Sequence, residues 1–208
     1  MSAHCCHHDA AAADNGSRDP RYRRVLWAAL VVNAAMFAIE VAGGLASGSV
    51  SLLADAVDFA GDAANYGLSL AVLSLSLGWR ARAALVKAAS MGLFGIAVLG
   101  RAGWAALHGV PPEPLTMGAI GALALAANVG VAIALYAWRD GDANMRSIWL
   151  CTRNDAIGNV AVMAAALGVF GTGTAWPDLA VATLMASLAL WASLSVLRQA
   201  RGELAHAH

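Results

Sequence analysis

Ser49 to Asn65 reads SVSLLADAVDFAGDAAN, and it places Asp55, Asp58 and Asp62 inside a stretch otherwise apolar enough to span a membrane. An acidic side chain near the bilayer centre costs roughly 2.5–3.5 kcal/mol on insertion scales, so three on one span point to an ion path or a proton relay. At about 100° per residue their i, i+3, i+7 spacing puts all three on one helix face. Asp58 and Asp62 are stacked one turn apart, the spacing at which two side chains of one helix can share a cation. That is half a site, and it needs a partner elsewhere in the chain.

The composition agrees with a membrane setting. Of 208 residues, 60% are hydrophobic and 12% charged, whereas charged residues approach about a quarter of a soluble domain. Net charge is zero, and the basic residues sit in short clusters beside apolar runs, so no nucleic-acid partner is expected. The three cysteines, Cys5, Cys6 and Cys151, suggest no disulfide framework. Met1–Ser17 is polar and has no apolar core, unlike a signal peptide.

Six apolar runs follow, about Val25–Gly44, Leu52–Leu77, Ala83–Leu107, Leu115–Trp138, Met145–Phe170 and Leu179–Leu197, each near the roughly 20 residues that cross a bilayer. The links are GGLASGS, LGWRAR, HGVPPEP, RDGDAN and GTGTAWP. Expected is an all-α, polytopic membrane protein: residues 1–22 a flexible cytoplasmic tail, 23–200 a six-helix transmembrane domain, 201–208 a short cytoplasmic tail. Arg18, Arg21, Arg23 and Arg24 precede the first span, Arg80, Arg82 and Lys87 flank the second link, Arg139 and Arg146 the fourth, and Arg198 and Arg201 close the last span. The first, third and fifth links carry no Lys or Arg, so both termini are expected in the cytoplasm. Arg101 and Arg153 lie near span ends and read as interfacial anchors.

The second half-site falls in the fifth span, NMRSIWLCTRNDAIGNVAV. Cys151 and Asp155 repeat the i, i+4 spacing of Asp58 and Asp62, and Asn159 follows on the same face. Asp62 and Asp155 each lie about ten residues into their helix, or roughly 15 Å at 1.5 Å per residue, which puts both near the midplane. Asp58, Asp62, Asp155 and Cys151 would give four ligands in a tetrahedral set of the kind Zn²⁺ accepts. Sulfur tilts the choice towards Zn²⁺ or Cd²⁺ and away from Mg²⁺ or Ca²⁺. Cys151 is either the fourth ligand or a small hydrophobe. Asp55 is either an interfacial helix-start residue or an access group supporting the site beside Asn159. Asn33, Asn65, Asn128 and Asn159 are expected to hydrogen-bond neighbouring helices. Glu40 either borders an outward cavity or packs as a protonated carboxyl. A separate cluster, HCCHHD at His4–Asp9, combines His4, Cys5, Cys6, His7 and His8 in a tract whose composition suits metal capture; His206 and His208 end the chain.

With these residues in hand, the chain resembles the cation diffusion facilitator family of divalent-metal/proton antiporters from Arg24 to Gly202. N…F…E…GG…SGSVSLLADA, from Asn33 to Ala56, is similar to that family's first-to-second helix signature and continues into D-x-x-x-D at Asp58 and Asp62. NMRSIWLCTRNDAIGNVAV is similar to the fifth-helix signature, with Cys151 where members usually have His or Asp. The chain stops soon after the sixth span, at GELAHAH, so the family's cytoplasmic ferredoxin-like domain is expected to be absent. The resemblance implies a homodimer, whose contact would then lie among the transmembrane helices. Gly92, Gly95, Gly100 and Gly103 would permit close packing there.

The expectation is a non-enzymatic secondary transporter of the inner (cytoplasmic) membrane. It would export Zn²⁺, with Cd²⁺ and then Co²⁺ or Ni²⁺ as further cargo, in exchange for protons by alternating access. Metal is substrate here, and no cofactor is expected. Two readings stand beside it. One is an intramembrane aspartyl hydrolase pairing Asp62 with Asp155, against which Val57 precedes Asp58 and Phe59-Ala60-Gly61 precedes Asp62. The other is a membrane metal sensor or scaffold that transports nothing.

Overall fold

A computed structural model describes residues 20–71, 77–139 and 143–206. All of the described secondary structure is helical: α1 (Pro20–Ser47), α2 (Val50–Ala71), α3 (Leu77–His108), α4 (Pro114–Leu135) with a final tightened turn at Tyr136–Trp138, α5 (Ala143–Thr172) and α6 (Trp176–His206). Five stretches, Pro20–Ser47, Ala88–His108, Pro114–Trp138, Ile148–Thr172 and Trp176–Arg198, are long and apolar enough to cross a membrane. Helix α2 has 22 residues, about 33 Å of helix, and is set apart by its three aspartates. The chain is therefore an integral membrane protein, with its large apolar side chains, such as Leu93, Ile96, Leu167 and Phe170, on outward faces.

The ends of the helices show why the chain turns where it does. Gly48 has φ 76°, a left-handed value that costs a residue with a Cβ about 1–2 kcal/mol, and it turns α1 into α2 in two residues. The α2 start is capped three times. Ser49 Oγ accepts from Leu52 N at 3.2 Å, while the Asp178 carboxylate from the start of α6 accepts from Val50 N at 2.8 Å and Ser51 N at 3.0 Å. Three of the amides a helix start leaves unpaired are thus satisfied. Glu113 caps α4, accepting from Leu115 N at 3.0 Å and Thr116 N at 2.6 Å, and Pro114 follows at the first helical position, where no N–H is needed. These bonds, Thr116 first among them, hold the Glu113 carboxyl below the usual range. Gly173, at φ 65°, ends α5 with its N–H on Val169 O at 2.8 Å.

Three of the links gather at one end of the bundle. Glu113 N donates to Ser47 O at 2.9 Å, tying the α3–α4 link to the end of α1, and Asp178 ties the start of α6 to the start of α2. These are the three links without Lys or Arg. Around them lies the largest apolar cluster, joining Val50, Leu52, Ala54 and Val57 of α2 to Val98 and Ala102 of α3, Met117 of α4, Val162 and Ala166 of α5, and Leu179, Ala182 and Ala186 of α6. Towards the other end a second cluster joins Tyr22, Leu26 and Ala29 of α1 to Tyr66, Val131, Leu135 and Ile148. Helix α3 packs chiefly on α6, α1 on α2 and α4 on α5.

Two expectations are corrected. LGWRAR was expected as a link, but Leu77–Arg82 is the first turn and a half of α3, because Leu, Arg and Ala favour helix and one Gly does not outweigh them. Leu77 accordingly belongs to α3 and not to the second span. Gly92 and Gly95 serve the protomer's own α3–α6 contact: a Cβ on Gly92 would lie 2.7 Å from Ser193 Oγ, and one on Gly95 3.1 Å from Leu190 Cγ. Gly100 and Gly103 have nothing within 4 Å of that position. The His4–His8 tract and His208 lie outside the described residues.

Candidate metal centre between helices α2 and α5

Two polar bridges join α2 to α5. At the outer one, the end where the three links gather, Asn159 Nδ2 donates to Asp55 Oδ2. At the inner one, Tyr66 Oη and Thr152 Oγ1 lie 2.6 Å apart. Between these bridges fall Asp58 and Asp62 on α2 and Asp155 on α5, brought to one level because the helices run antiparallel. The Asp155 carboxyl lies in hydrogen-bonding reach of Asp62, with Asp58 and Asp55 as its further charged neighbours. Tyr66 also donates to Asp62 Oδ2 at 3.0 Å, so Asp62 is held from both sides. Asp62 is buried, and Asp58, Asp155 and Cys151 are partly buried.

Cys151 sits one residue beyond the inner bridge. At about 100° per residue it points roughly 75° away from the direction shared by Thr152, Asp155 and Asn159, on the flank of the face that meets α2. Among the described residues, no three His, Cys, Asp or Glu side chains are drawn together tightly enough to hold a metal ion as they stand. Closing four ligands on one ion would need a rotation of side chains or a small roll of α5.

The outer bridge extends into a polar chain across four helices. Asn128 Nδ2 on α4 donates to Asn159 Oδ1 at 2.9 Å, Asn159 donates to Asp55, and Glu40 on α1 faces Asp55. Both Glu40 oxygens and Asp55 Oδ1 are buried without a hydrogen-bond donor. Asp55 is 1% exposed and, through Asn159, holds α2 to α5 above the acids. Asn128 and Asn159 bond across helices as expected. Asn33 does not, because its Nδ2 donates back to Ala29 O of its own helix at 2.8 Å. Arg101 and Arg153 are exposed, and Arg153 lies over the Trp149 ring at 5.5 Å.

Reading spacing alone misses Tyr66, Thr152 and Asp178. Tyr66 carried a signal, being four residues after Asp62 and on its face. Thr152 is hidden beside Cys151, and Asp178 reads as an ordinary acid in the first turn of its own helix.

The profile of the cation efflux transmembrane domain matches residues 26–205 of the chain. The chain belongs to this family, the cation diffusion facilitators. Its curated relatives include the zinc transporter ZitB of Escherichia coli (strain K12) and that of Shigella flexneri, each 28% identical over 203 residues, covering 89% of this chain. The chain spans 63% of the length of those relatives.

Proposed function

We propose that the chain exports divalent transition-metal cations, Zn²⁺ first, with Cd²⁺ and then Co²⁺ or Ni²⁺ as further cargo, in exchange for protons. The observation that carries this reading is the meeting of Asp62 and Asp155 from antiparallel helices between two polar bridges, with Asp58 beside them. The ligand set is Asp58, Asp62 and Asp155 with Cys151; Asp55 and Asn159 fix the outer edge of the site, and Glu40 stands next to Asp55 on the way out. Family membership and the zinc-transporting relatives support metal as cargo. They also set aside the hydrolase reading.

Carboxylates and a thiolate bind metal when deprotonated, so metal and protons compete for one site. Metal taken up from the cytoplasm is released outside as Asp58, Asp62 and Asp155 take up protons. The bundle rocks around the fixed site to expose it first to one side and then to the other. In this reading α2 is a sixth span, both termini are cytoplasmic and the membrane is the inner one. Two features favour that orientation: the three links that gather at one end all lack Lys and Arg, and the basic residues flank the others. His4, Cys5, Cys6, His7 and His8 act as a tail that raises local metal concentration by tethering, and the working unit is a homodimer joined through transmembrane helices.

The test is purified protein in vesicles loaded with a Zn²⁺ dye, driven by a pH step. Dye response in the wild type and its loss in Asp62→Ala and Asp155→Ala are the expected results. No flux in the wild type, or flux unchanged in both variants, would refute transport.

A further inference from the structure

The polar chain that starts at Asn128 ends in two facing acids, Glu40 on α1 and Asp55 on α2. They are 0% and 1% exposed, and their carboxyls lie in hydrogen-bonding reach of each other. Asp55 Oδ2 is taken up by Asn159 Nδ2. The other three oxygens, Glu40 Oε1 and Oε2 and Asp55 Oδ1, are buried without a hydrogen-bond donor among the described residues. Asn128 Oδ1, two links along the chain, is in the same condition.

Buried acceptors in native proteins nearly always have a partner, so a group of orphans asks what fills the space between them. The packing around the pair supplies none. One turn towards the inner end, Met36 of α1 and Phe59 of α2 pack with Ala124 of α4 as an apolar floor. One turn the other way α1 lies so close to its neighbours that a Cβ on Gly43 would run into Ile120, and one on Gly44 would lie 2.9 Å from Leu53 Cγ. The next charged group acting on Glu40 is Asp58, itself acidic. One proton shared between the carboxyls serves two of the three oxygens. One water serves two and balances no charge. A divalent cation serves all three and matches the charge of two carboxylates.

We propose that Glu40 and Asp55 form a second cation site, apart from the Asp62–Asp155 centre, which holds one divalent ion through oxygen ligands alone. By engaging Oδ2 from α5, Asn159 leaves Asp55 Oδ1 to the ion. With no sulfur or nitrogen among its ligands, the site favours Mn²⁺, Mg²⁺ or Ca²⁺ over the softer ions that the Cys151 sulfur attracts. The ion is held whether or not the protein transports metal.

Mn²⁺ is the probe, because the nitrogen and sulfur ligands of the His4–His8 tract hold it least well among first-row divalent ions. The full chain with Asp62→Ala and Asp155→Ala, purified in detergent, should still take up Mn²⁺, read as loss of the free-ion EPR signal. A hydrogen-bond partner behind a ligand is worth about 10- to 100-fold in metal affinity. Adding Asn159→Ala should therefore weaken uptake about tenfold or more, and adding Glu40→Gln, which removes a ligand, about 100-fold or more. Adding Cys151→Ala should leave it unchanged. No uptake in the double variant, or uptake indifferent to Glu40→Gln, would overturn the site. A second measurement needs no variant and so does not depend on their folding. An anomalous map of the unaltered protein crystallised with Mn²⁺ should show a peak between α1 and α2, against Glu40 and Asp55. A peak confined to Asp62 and Asp155, or two carboxyls bonded to each other with no metal between them, would overturn the proposal. Neither experiment reads flux, so a failure of the transport reading leaves both outcomes as they stand.

Discussion

Replacing Tyr66 by Phe removes one oxygen from the inner edge of the proposed metal site and leaves the rest of the side chain in place. The ring is buried among Tyr22, Leu26, Ala29, Val131, Leu135 and Ile148, so its packing survives. What disappears is the donor to Asp62 Oδ2 at 3.0 Å and the partner of Thr152 Oγ1 at 2.6 Å. A hydrogen bond to a charged acceptor contributes about 1.5–3 kcal/mol. If the loss falls on the metal-bound form, where Asp62 is ionised, zinc affinity drops roughly 10- to 150-fold at about 1.4 kcal/mol per decade. Thr152→Val is the internal control. It removes only neutral contacts, the one with Tyr66 and the one to Ile148 O at 3.1 Å; loss of the Tyr66 contact, about 0.5–1.5 kcal/mol, should weaken affinity roughly two- to tenfold. Competition against a fluorescent zinc chelator, with purified protein in detergent, measures both. An affinity within twofold of wild type for Tyr66→Phe, or a larger loss for Thr152→Val, would refute the assignment of Tyr66 as the residue that holds Asp62 for the metal.

Other outcomes follow from the same geometry. Cys151→Ala should change the ratio of Zn²⁺ to Mn²⁺ affinity if the sulfur is a ligand; titrating both metals against the variant checks this, and an unchanged ratio removes Cys151 from the site. Gly48→Ala meets no atom within 4 Å, yet its φ of 76° should cost about 1–2 kcal/mol, seen as a lower unfolding midpoint in detergent. The Glu113 carboxyl is held below its ordinary range by its bonds to Thr116 and Leu115. Its contribution to the α4 start is therefore fully present above the ordinary Glu value of 4.5 and is lost as pH falls through the lowered one. The Thr116 amide resonance should follow that titration, and in Glu113→Gln it should not move.

The acids that open the site were legible because helical periodicity is a local property. Asp55, Asp58 and Asp62 share a face whatever else the chain does, and Asp155 could be placed at their level from two helix starts and a rise per residue. The division of labour among them was not legible. Asp55 turns on Asn159, and Asn159 on Asn128, so its role depends on contacts across three helices that no spacing encodes. Asp178 shows the same limit: its partners lie 127–129 positions away, and an acid in the first turn of a helix already has a sufficient local explanation. Gly92 and Gly95 were read correctly as sites of close approach, but a small residue does not say which helix approaches. The segment LGWRAR was misjudged because a basic cluster marks an interface, and a helix can run through an interface without breaking.

The two bridges between α2 and α5 are unequally spaced. They lie eleven residues apart on α2, from Asp55 to Tyr66, but seven apart on α5, from Thr152 to Asn159. Along the axes that is about 16 Å against 10 Å, and the long Tyr66 side chain, leaning towards the start of its helix as helical side chains do, takes up the difference. The pair therefore behaves like a ladder with one slanted rung. Axial sliding of α5 by a single residue would lengthen one rung while slackening the other, whereas a roll about the helix axis strains both far less. Shear is locked and rolling is left open, and rolling is the motion that would swing Cys151 towards the three aspartates.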